Sequence, residues 1–193
     1  SSFQLETMVT FKPHVTAILN ITPDHLDRHK TLENYIAIKE SITKNQDEND
    51  FCVLNYNDPV LREFGKTPRC KVIFFSSSEE LESGVFLRGD TMIIKENGVE
   101  TPVCTTKDTS LVGMHNYENI MAAIAMTHAI GVPLDTIRQG IKEFTAVEHR
   151  IEFVAEKNGV KYYNDSQATT PDAAIKAVCA MPWPTILIGG GYD

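Results

Sequence analysis

The sequence predicts an α/β fold, a mostly parallel sheet flanked by helices, and two observations support this. Short β-rich runs alternate with helix-forming segments up to about Thr145. Such alternation is typical of a parallel sheet with helices on both faces. Several polar clusters lie next to these runs, at the kind of position where α/β enzymes carry their sites.

The first part of the chain alternates three predicted strands with two predicted helices. The strands are short runs rich in β-branched and aromatic residues, at 15–21, 51–54 and 71–75. Apolar side chains recur at nearly helical spacing over residues 32–42, which predicts the first helix. A second, short helix is predicted to begin at Asp58-Pro59, because proline is favoured in a first turn.

Residues 85–103 have a different pattern, with short apolar runs separated by tight polar turns. This pattern predicts an antiparallel meander. An alanine-rich helix is then predicted over 116–130, because Gly131-Val132-Pro133 would end it, and another helix over 134–144.

The last part of the chain predicts the start of a second, Rossmann-like α/β unit. A hairpin is expected over 151–163 around Asn158-Gly159, then a helix over 171–181 and a buried strand over 185–188. We therefore expect one domain at residues 1–146 and the beginning of another at 147–193. Ser1 stands where a natural chain has Met, and both ends are expected to be cuts in a longer protein.

Charge, hydropathy and cysteine spacing argue against several kinds of partner and site. The net charge of −8 argues against a nucleic-acid or anionic membrane surface as the main partner. No apolar run is long enough to cross a bilayer. The four cysteines form no C-x-x-C pair, which predicts reduced thiols in a cytoplasmic protein and gives no indication of a zinc site.

Two polar clusters suit the binding of an ion and of a purine. Residues 20–29 hold two carboxylates, two imidazoles and Arg28, which could ligate a divalent cation and balance its charge. The alternative is a polar loop whose aspartates cap a helix. Asn116 and Asn119 share a helix face, and their amides suit the edge of a purine ring. The alternative is that Asn116 only caps the helix.

Two further clusters lie near the start of the second unit. His149-Arg150-Ile151-Glu152 offers a cation, although an Arg–Glu pair is more often a surface salt bridge. Residues 164–171 form a hydroxyl-rich loop before a helix, and backbone N–H groups there could hold an anion. The alternative for this loop is an ordinary helix cap.

Five motifs, in this order along the chain, resemble those of the Mur ligase family. They are SSFQLE (1–6), NITPDHLDRH (20–29), GMHNYEN (113–119), HRIE (149–152) and NDSQAT (164–169). SSFQLE, the HR of HRIE and the NDS-x-AT loop resemble the D-glutamate-adding branch. The resemblance implies the central ATP-binding domain of an ATP-dependent amide-bond ligase of peptidoglycan synthesis. Its expected substrates are UDP-N-acetylmuramoyl-L-alanine and D-glutamate, joined through an acyl phosphate.

The resemblance also implies roles for individual residues. His25 resembles the catalytic, magnesium-ligating histidine, and Lys39 the lysine that becomes an anionic carbamate beside the ion. From the sequence alone, Lys39 is an exposed helix lysine. ATP is expected to contact residues in two parts of the chain: Asn116 and Asn119 at the adenine, Arg150 and Asp165 from the second domain.

The other substrates are expected to contact Ser1, Gln4, Gln167 and Thr169, the first two on the muramoyl side. Gln167 stands where D-glutamate-adding enzymes usually have lysine. This departure leaves open a related ligase with another acceptor, including a folylpolyglutamate type.

A further departure concerns the phosphates of ATP. The sequence has no G-x-x-x-x-G-K-[ST] loop, and the family carries that loop and a second magnesium-binding acid upstream of SSFQLE. The 193-residue chain alone is therefore expected to be inactive. A non-catalytic binding module is the remaining alternative, and the full enzyme is expected to be a monomer.

Overall fold

The computed structural model describes residues 1–191, and their strands form two sheets. The main sheet has six strands in the order β1-β2-β3-β4-β5-β6. They span Val15–Ile18 (β1), Phe51–Asn55 (β2), Lys71–Ser76 (β3), Gly84–Arg88 (β4), Thr91–Glu96 (β5) and Val99–Thr105 (β6). Strands β1 to β4 pair in parallel, and β4, β5 and β6 pair antiparallel. The predicted meander is confirmed as an extension of the parallel sheet.

Helices cover both faces of this sheet, as predicted. In chain order they are Ser2–Leu5 (α1), Leu26–His29 (α2), Leu32–Glu40 (α3), Pro59–Phe64 (α4), Met114–Ala129 (α5) and Leu134–Glu143 (α6). Because side chains alternate along a strand, Val53 packs in the α5 core while Cys52 and Leu54 pack around Leu61 of α4.

The long helix α5 provides most of the core on its side. Its buried face includes Ile120, Met121 and Ile124, which lie against Phe75 and Val85 of the sheet. This spacing places the three side chains on one side of the helix. Burial of that apolar face, together with its high alanine content, explains why the predicted helix forms.

Asp58 connects the start of α4 with the loop after β1. Its Oδ1 accepts hydrogen bonds from the N–H groups of Val60 at 2.9 Å and Leu61 at 3.3 Å. Its Oδ2 accepts one from the N–H of Ile21 at 2.7 Å. The predicted helix start at Asp58-Pro59 is confirmed, and the same carboxylate fixes the beginning of the loop at residues 20–29.

The second sheet is the predicted hairpin. It consists of Glu152–Lys157 (β7) and Val160–Asn164 (β8), followed by the helix Pro171–Ala180 (α7). Asn158 and Gly159 both have positive φ, 53° and 76°, as a two-residue hairpin turn requires.

The predicted buried strand at 185–188 is wrong. These residues form no strand, and Ile186 and Ile188 are 91% and 90% exposed. An apolar run becomes a buried strand only when neighbouring strands satisfy its backbone and cover its side chains. Within residues 1–191 no other strand pairs with it.

Candidate functional site

A cavity of about 290 Å³ lies beside the first turn of α5 and the start of β7. Its walls combine aliphatic and aromatic side chains with an amide, a guanidinium, a carboxylate and hydroxyl groups, and ligand pockets commonly mix apolar and polar groups in this way. It is lined by Ser110, Leu111, Val112, Asn116, Thr145, Ala146, Arg150, Ile151, Glu152, Phe153 and Tyr163. The fold therefore brings Asn116 and Arg150, which are distant in sequence, to one cavity.

Asn116 is positioned as a wall residue of this cavity. The N-cap of α5 is Gly113, so the alternative that Asn116 only caps the helix is wrong. Asn116 Nδ2 donates to the carbonyl of Val112 at 2.8 Å. Asn119, three residues further along the helix, is exposed and does not line the cavity. The structure thus brings only the first of the two predicted amides to the cavity wall.

Arg150 lies between two residues of left-handed backbone conformation. His149 has φ 66° and Ile151 has φ 47°, a strained value for a β-branched side chain. Two carboxylates hold this turn: Glu152 Oε2 accepts from the N–H of His149 at 2.9 Å, and Asp165 Oδ1 from that of Ile151 at 3.0 Å. Glu152 therefore binds backbone, and the alternative of an Arg150–Glu152 surface salt bridge is wrong.

The loop at residues 164–169 packs against the Arg150 turn. Besides the Asp165 contact, the N–H of Gln167 donates to the carbonyl of His149 at 3.1 Å. The side chains of Gln167 and Thr169 are exposed. Thr170 caps α7 by accepting from the N–H of Ala173, so the alternative of a helix cap is confirmed for the end of this loop. Asp165 thus contacts the segment that carries Arg150.

The first turn of α5 also lies close to α7. A Cβ on Gly113, whose φ is 96°, would come within 2.5 Å of the Cβ of Ala180. Nearby, burial lowers the pKa of His115, and the charge of Lys176 lowers it further. The neutral form of the His115 imidazole is therefore favoured. Sequence reasoning did not single out these contacts, because they depend on the packing of two distant helices.

The second part of the candidate site is the loop before α2. His25 has a left-handed backbone with φ 51°, and its Nε2 lies 3.4 Å from Oδ2 of Asp24. His25 itself is the N-cap of α2, without a side-chain capping bond. The alternative of helix-capping aspartates is therefore wrong. The sequence predicts a second imidazole, His29, among the possible ion ligands. Its side chain is fully buried, so this part of the prediction is wrong.

Lys39 and the α1 residues lie on the same side of the molecule. Lys39 is half-buried, with Nζ 4.9 Å above the ring of Tyr35, so the exposed helix lysine expected from the sequence is wrong. The amino group of Ser1 donates to Gln4 Oε1 at 3.3 Å, and both residues are exposed. Helix α1 contacts α3, which brings Ser1 and Gln4 near the helix that carries Lys39.

The two donors predicted for a metal ion are His25, in the loop before α2, and Lys39, on α3. Among the described residues, no group of three or more His, Cys, Asp or Glu could hold a metal ion. Magnesium is commonly bound through one or two carboxylates and completes its octahedron with water and phosphate oxygens. A carbamate on Lys39 would supply one such oxygen donor, and His25 would supply a nitrogen donor.

Comparison with known proteins identifies the family. The model of the Mur ligase middle domain matches residues 1–127. Two curated relatives named UDP-N-acetylmuramoylalanine--D-glutamate ligase match all 193 residues. The protein of Lachnoclostridium phytofermentans is 53% identical to this chain, which covers 42% of its length. The protein of Lachnospira eligens is 52% identical, and the chain covers 43% of its length. The chain thus spans about two fifths of the length of these relatives.

Solved structures share the fold. MurF from Acinetobacter baumannii gives a TM-score of 0.70 at 21% identity, with 87% of this chain and 37% of that one covered. MurF from Thermotoga maritima in complex with ADP gives a TM-score of 0.63 at 22% identity, with 88% of this chain and 40% of that one covered. No helix among residues 1–191 is long and apolar enough to span a membrane. On the match of its first 127 residues to the middle-domain model, the chain belongs to the Mur ligase family.

Proposed function

We propose that this chain is the ATP-binding part of an enzyme that adds D-glutamate to UDP-N-acetylmuramoyl-L-alanine. The observation that carries the proposal is the cavity whose walls include both Asn116, an amide, and Arg150, a cation. An amide can read the edge of a purine, and a guanidinium can pair with phosphate oxygens. The choice of substrates is supported by the names of relatives at 52 and 53% identity.

The reaction is a phosphoryl transfer followed by an acyl transfer. The carboxylate of UDP-N-acetylmuramoyl-L-alanine takes the γ-phosphoryl group of ATP, which gives ADP and an acyl phosphate. The amine of D-glutamate attacks the acyl carbon, the amide bond forms, the amine loses its proton and phosphate leaves. Because such reactions depend mainly on alignment and charge stabilisation, the role of this chain is to hold ATP by Asn116 and Arg150 at the cavity, with Asn119 contacting the adenine from outside the cavity wall. Asp165 supports Arg150 through the backbone of Ile151.

The ion and acceptor sides of the site complete the proposal. His25 and carbamylated Lys39 would hold Mg²⁺, which when bound neutralises charge on the phosphate oxygens. Ser1 and Gln4 would face the muramoyl substrate. The loop of Gln167 and Thr169 would face the incoming amino acid, as part of an amino-acid-binding domain that begins near residue 147. The whole enzyme would act in the cytoplasm, since ATP and nucleotide-linked precursors are cytoplasmic molecules. A monomer is our proposal for its oligomeric state.

A related ligase with another acceptor is the second candidate. Gln167 favours it, because the amide keeps a donor but lacks the charge of the lysine expected at this position. A missing charge weakens the binding of an acceptor carboxylate. No observation favours a non-catalytic module.

The test is phosphate release from ATP by the full-length protein that contains this chain. UDP-N-acetylmuramoyl-L-alanine is supplied with D-glutamate, L-lysine or meso-diaminopimelate in turn, and the 193-residue chain is assayed in parallel. We expect release with D-glutamate alone and none from the 193-residue chain, which has no phosphate-binding loop. Release with another amino acid would keep the ligase and change its acceptor, and no release would refute the ligase.

The variant Asn116→Ala tests the cavity in the same assay. We expect it to raise the KM for ATP by about 3- to 10-fold, the typical contribution of one neutral hydrogen bond. Gln139→Ala is the matched control, since Gln139 is an exposed amide whose Nε2 donates to Glu143 on α6. Equal KM values for the two variants would remove Asn116 from the ATP site.

A further inference from the structure

His29 is a buried imidazole for which the proposed reaction has no use. It is the last residue of α2, four residues after His25, and none of its side chain is exposed. Burial of a polar ring lowers stability unless its nitrogens find partners. The surroundings of His29 therefore have to explain why an imidazole occupies this position.

Two contacts connect His29 with α1. Its Nε2 lies 3.0 Å from Oγ of buried Ser2, within hydrogen-bond distance. Its Nδ1 lies 3.1 Å from Oε1 of Glu6 but without hydrogen-bond geometry, and among the described residues it is the one buried side-chain polar atom without such a bond. The hydrogen bond from Arg28, 2.7 Å long, lowers the pKa of Glu6 and keeps this carboxylate ionised.

Two aromatic rings lie against the imidazole of His29. Phe3 is stacked on it with centroids 5.6 Å apart, and Tyr35 is tilted against it at 5.5 Å. Phe3 also contacts the ring of His25, at 4.9 Å. Tyr35 lies under Nζ of Lys39, at 4.9 Å. His29 thus stands in the middle of a row of contacts with His25 at one end and Lys39 at the other.

We propose that His29 is a positioning residue, which orients His25 through the ring of Phe3 and Lys39 through the ring of Tyr35. The contact of Nε2 with Ser2, with the carboxylate of Glu6 close to Nδ1, orients the imidazole, and the imidazole then positions the two rings. The inference rests on the proposed function, because it concerns the two side chains assigned to the ion. A purely structural role would stabilise α2 without affecting how the ion is bound.

The experiment measures Mn²⁺ affinity by electron paramagnetic resonance on the full-length protein in the presence of ADP, without turnover. The variants are His29→Ala, which removes the ring, and His29→Phe, which keeps a ring for Phe3 and Tyr35. We expect His29→Ala to weaken Mn²⁺ binding by about 10-fold or more, as loss of residues that orient metal ligands commonly does. We expect His29→Phe to recover at least half of that loss on a logarithmic scale.

Two controls separate this inference from the proposed function. His25→Ala is the reference for the loss of an ion ligand. His128→Ala is the matched control, because it removes a partly exposed histidine of α5 whose Nε2 lies 3.3 Å from Oε2 of Glu96. We expect this variant to leave the Mn²⁺ affinity unchanged. If His25→Ala weakens Mn²⁺ binding and His29→Ala does not, the inference is overturned and the ion site stands. If His25→Ala also has no effect, the ion site itself is refuted and the inference with it.

A second variant keeps the test decisive should His29→Ala fail to fold. Phe3 is 43% exposed, so Phe3→Leu leaves the core intact and removes the ring that connects His29 with His25. We expect weaker Mn²⁺ binding at an unchanged melting temperature. Wild-type Mn²⁺ affinity in Phe3→Leu would overturn the inference.

Discussion

At the residue scale, burial decides the chemistry of the four thiols, all of which are free. Burial raises the pKa of Cys52 to about 12 and that of Cys104 to about 11, and it also raises the pKa of Cys70. Only the thiolate is a nucleophile. Cys179, on α7, is exposed.

We therefore predict that a single thiol, Cys179, reacts rapidly with Ellman's reagent at pH 8. All four thiols should react after denaturation, and Cys179→Ser should abolish the rapid phase. Rapid modification of two or more thiols in the native protein would contradict the prediction.

The residues of the candidate site show what a sequence can predict at this scale. Asn116 and Arg150 were predicted from their residue types and motifs, and the fold brings them to one cavity. The position of Asn119 outside that cavity, and the burial of His29, could not be predicted. Both depend on how α1, α3 and α5 pack, and spacing along the sequence does not fix packing.

At the scale of elements, Asp58 is the clearest case of one side chain that supports two segments. We predict that Asp58→Ala lowers the free energy of unfolding by about 2 kcal/mol, because it removes the cap of α4 and the bond to Ile21. Asp58→Asn keeps one acceptor oxygen for the cap of α4 but turns an NH2 group towards the N–H of Ile21, so it should lose about half of that. The measurement is urea denaturation, with Asp135→Ala as the control, since the Asp135 side chain is 95% exposed. Equal losses for Asp58→Ala and Asp135→Ala would exclude this role.

Most elements were predictable because their signals are local. The structure confirms, within a few residues, the strands predicted from the apolar runs, the helix that starts at Pro59 and the turn at Asn158-Gly159. The run at 185–188 was not, because a buried strand is defined by neighbours rather than by its own composition. Local patterns specify turns and helix starts, but a strand is completed by the chain beside it.

At the scale of the whole molecule, a buried carboxylate makes the stability of the fold depend on pH. Asp50 accepts a hydrogen bond from the backbone N–H of Asp47 and contacts the side chains of His14 and Lys12. Together these contacts lower the pKa of Asp50 to about 2. A carboxyl group with a lowered folded-state pKa stabilises the fold above its unfolded pKa, and this contribution is lost as the pH falls through the folded value. The loss therefore belongs between pH 3.8, its ordinary pKa, and about 2.

We predict that Asp50→Asn makes the melting temperature less dependent on pH in that window. The amide cannot gain a proton there, so the variant lacks the contribution that the wild type loses. Melting curves from pH 5 to 2 test this, with Asp135→Asn as an exposed control. A slope equal to that of the wild type would show that Asp50 does not contribute.

The sequential order of the main sheet has a consequence for synthesis. Every ladder joins strands that follow each other along the chain, so a ribosome delivers each strand directly to the edge of those already made. The last two parallel strands, β3 and β4, end at Ser76 and Arg88. Helix α5, which covers one face of the parallel strands, ends only at Ala129. During that interval the nascent sheet presents Val53, Phe75 and Val85 to its surroundings, and such transient apolar surfaces favour aggregation. The stretch of translation between residues 88 and 129 is thus the period in which a chaperone would protect this chain most.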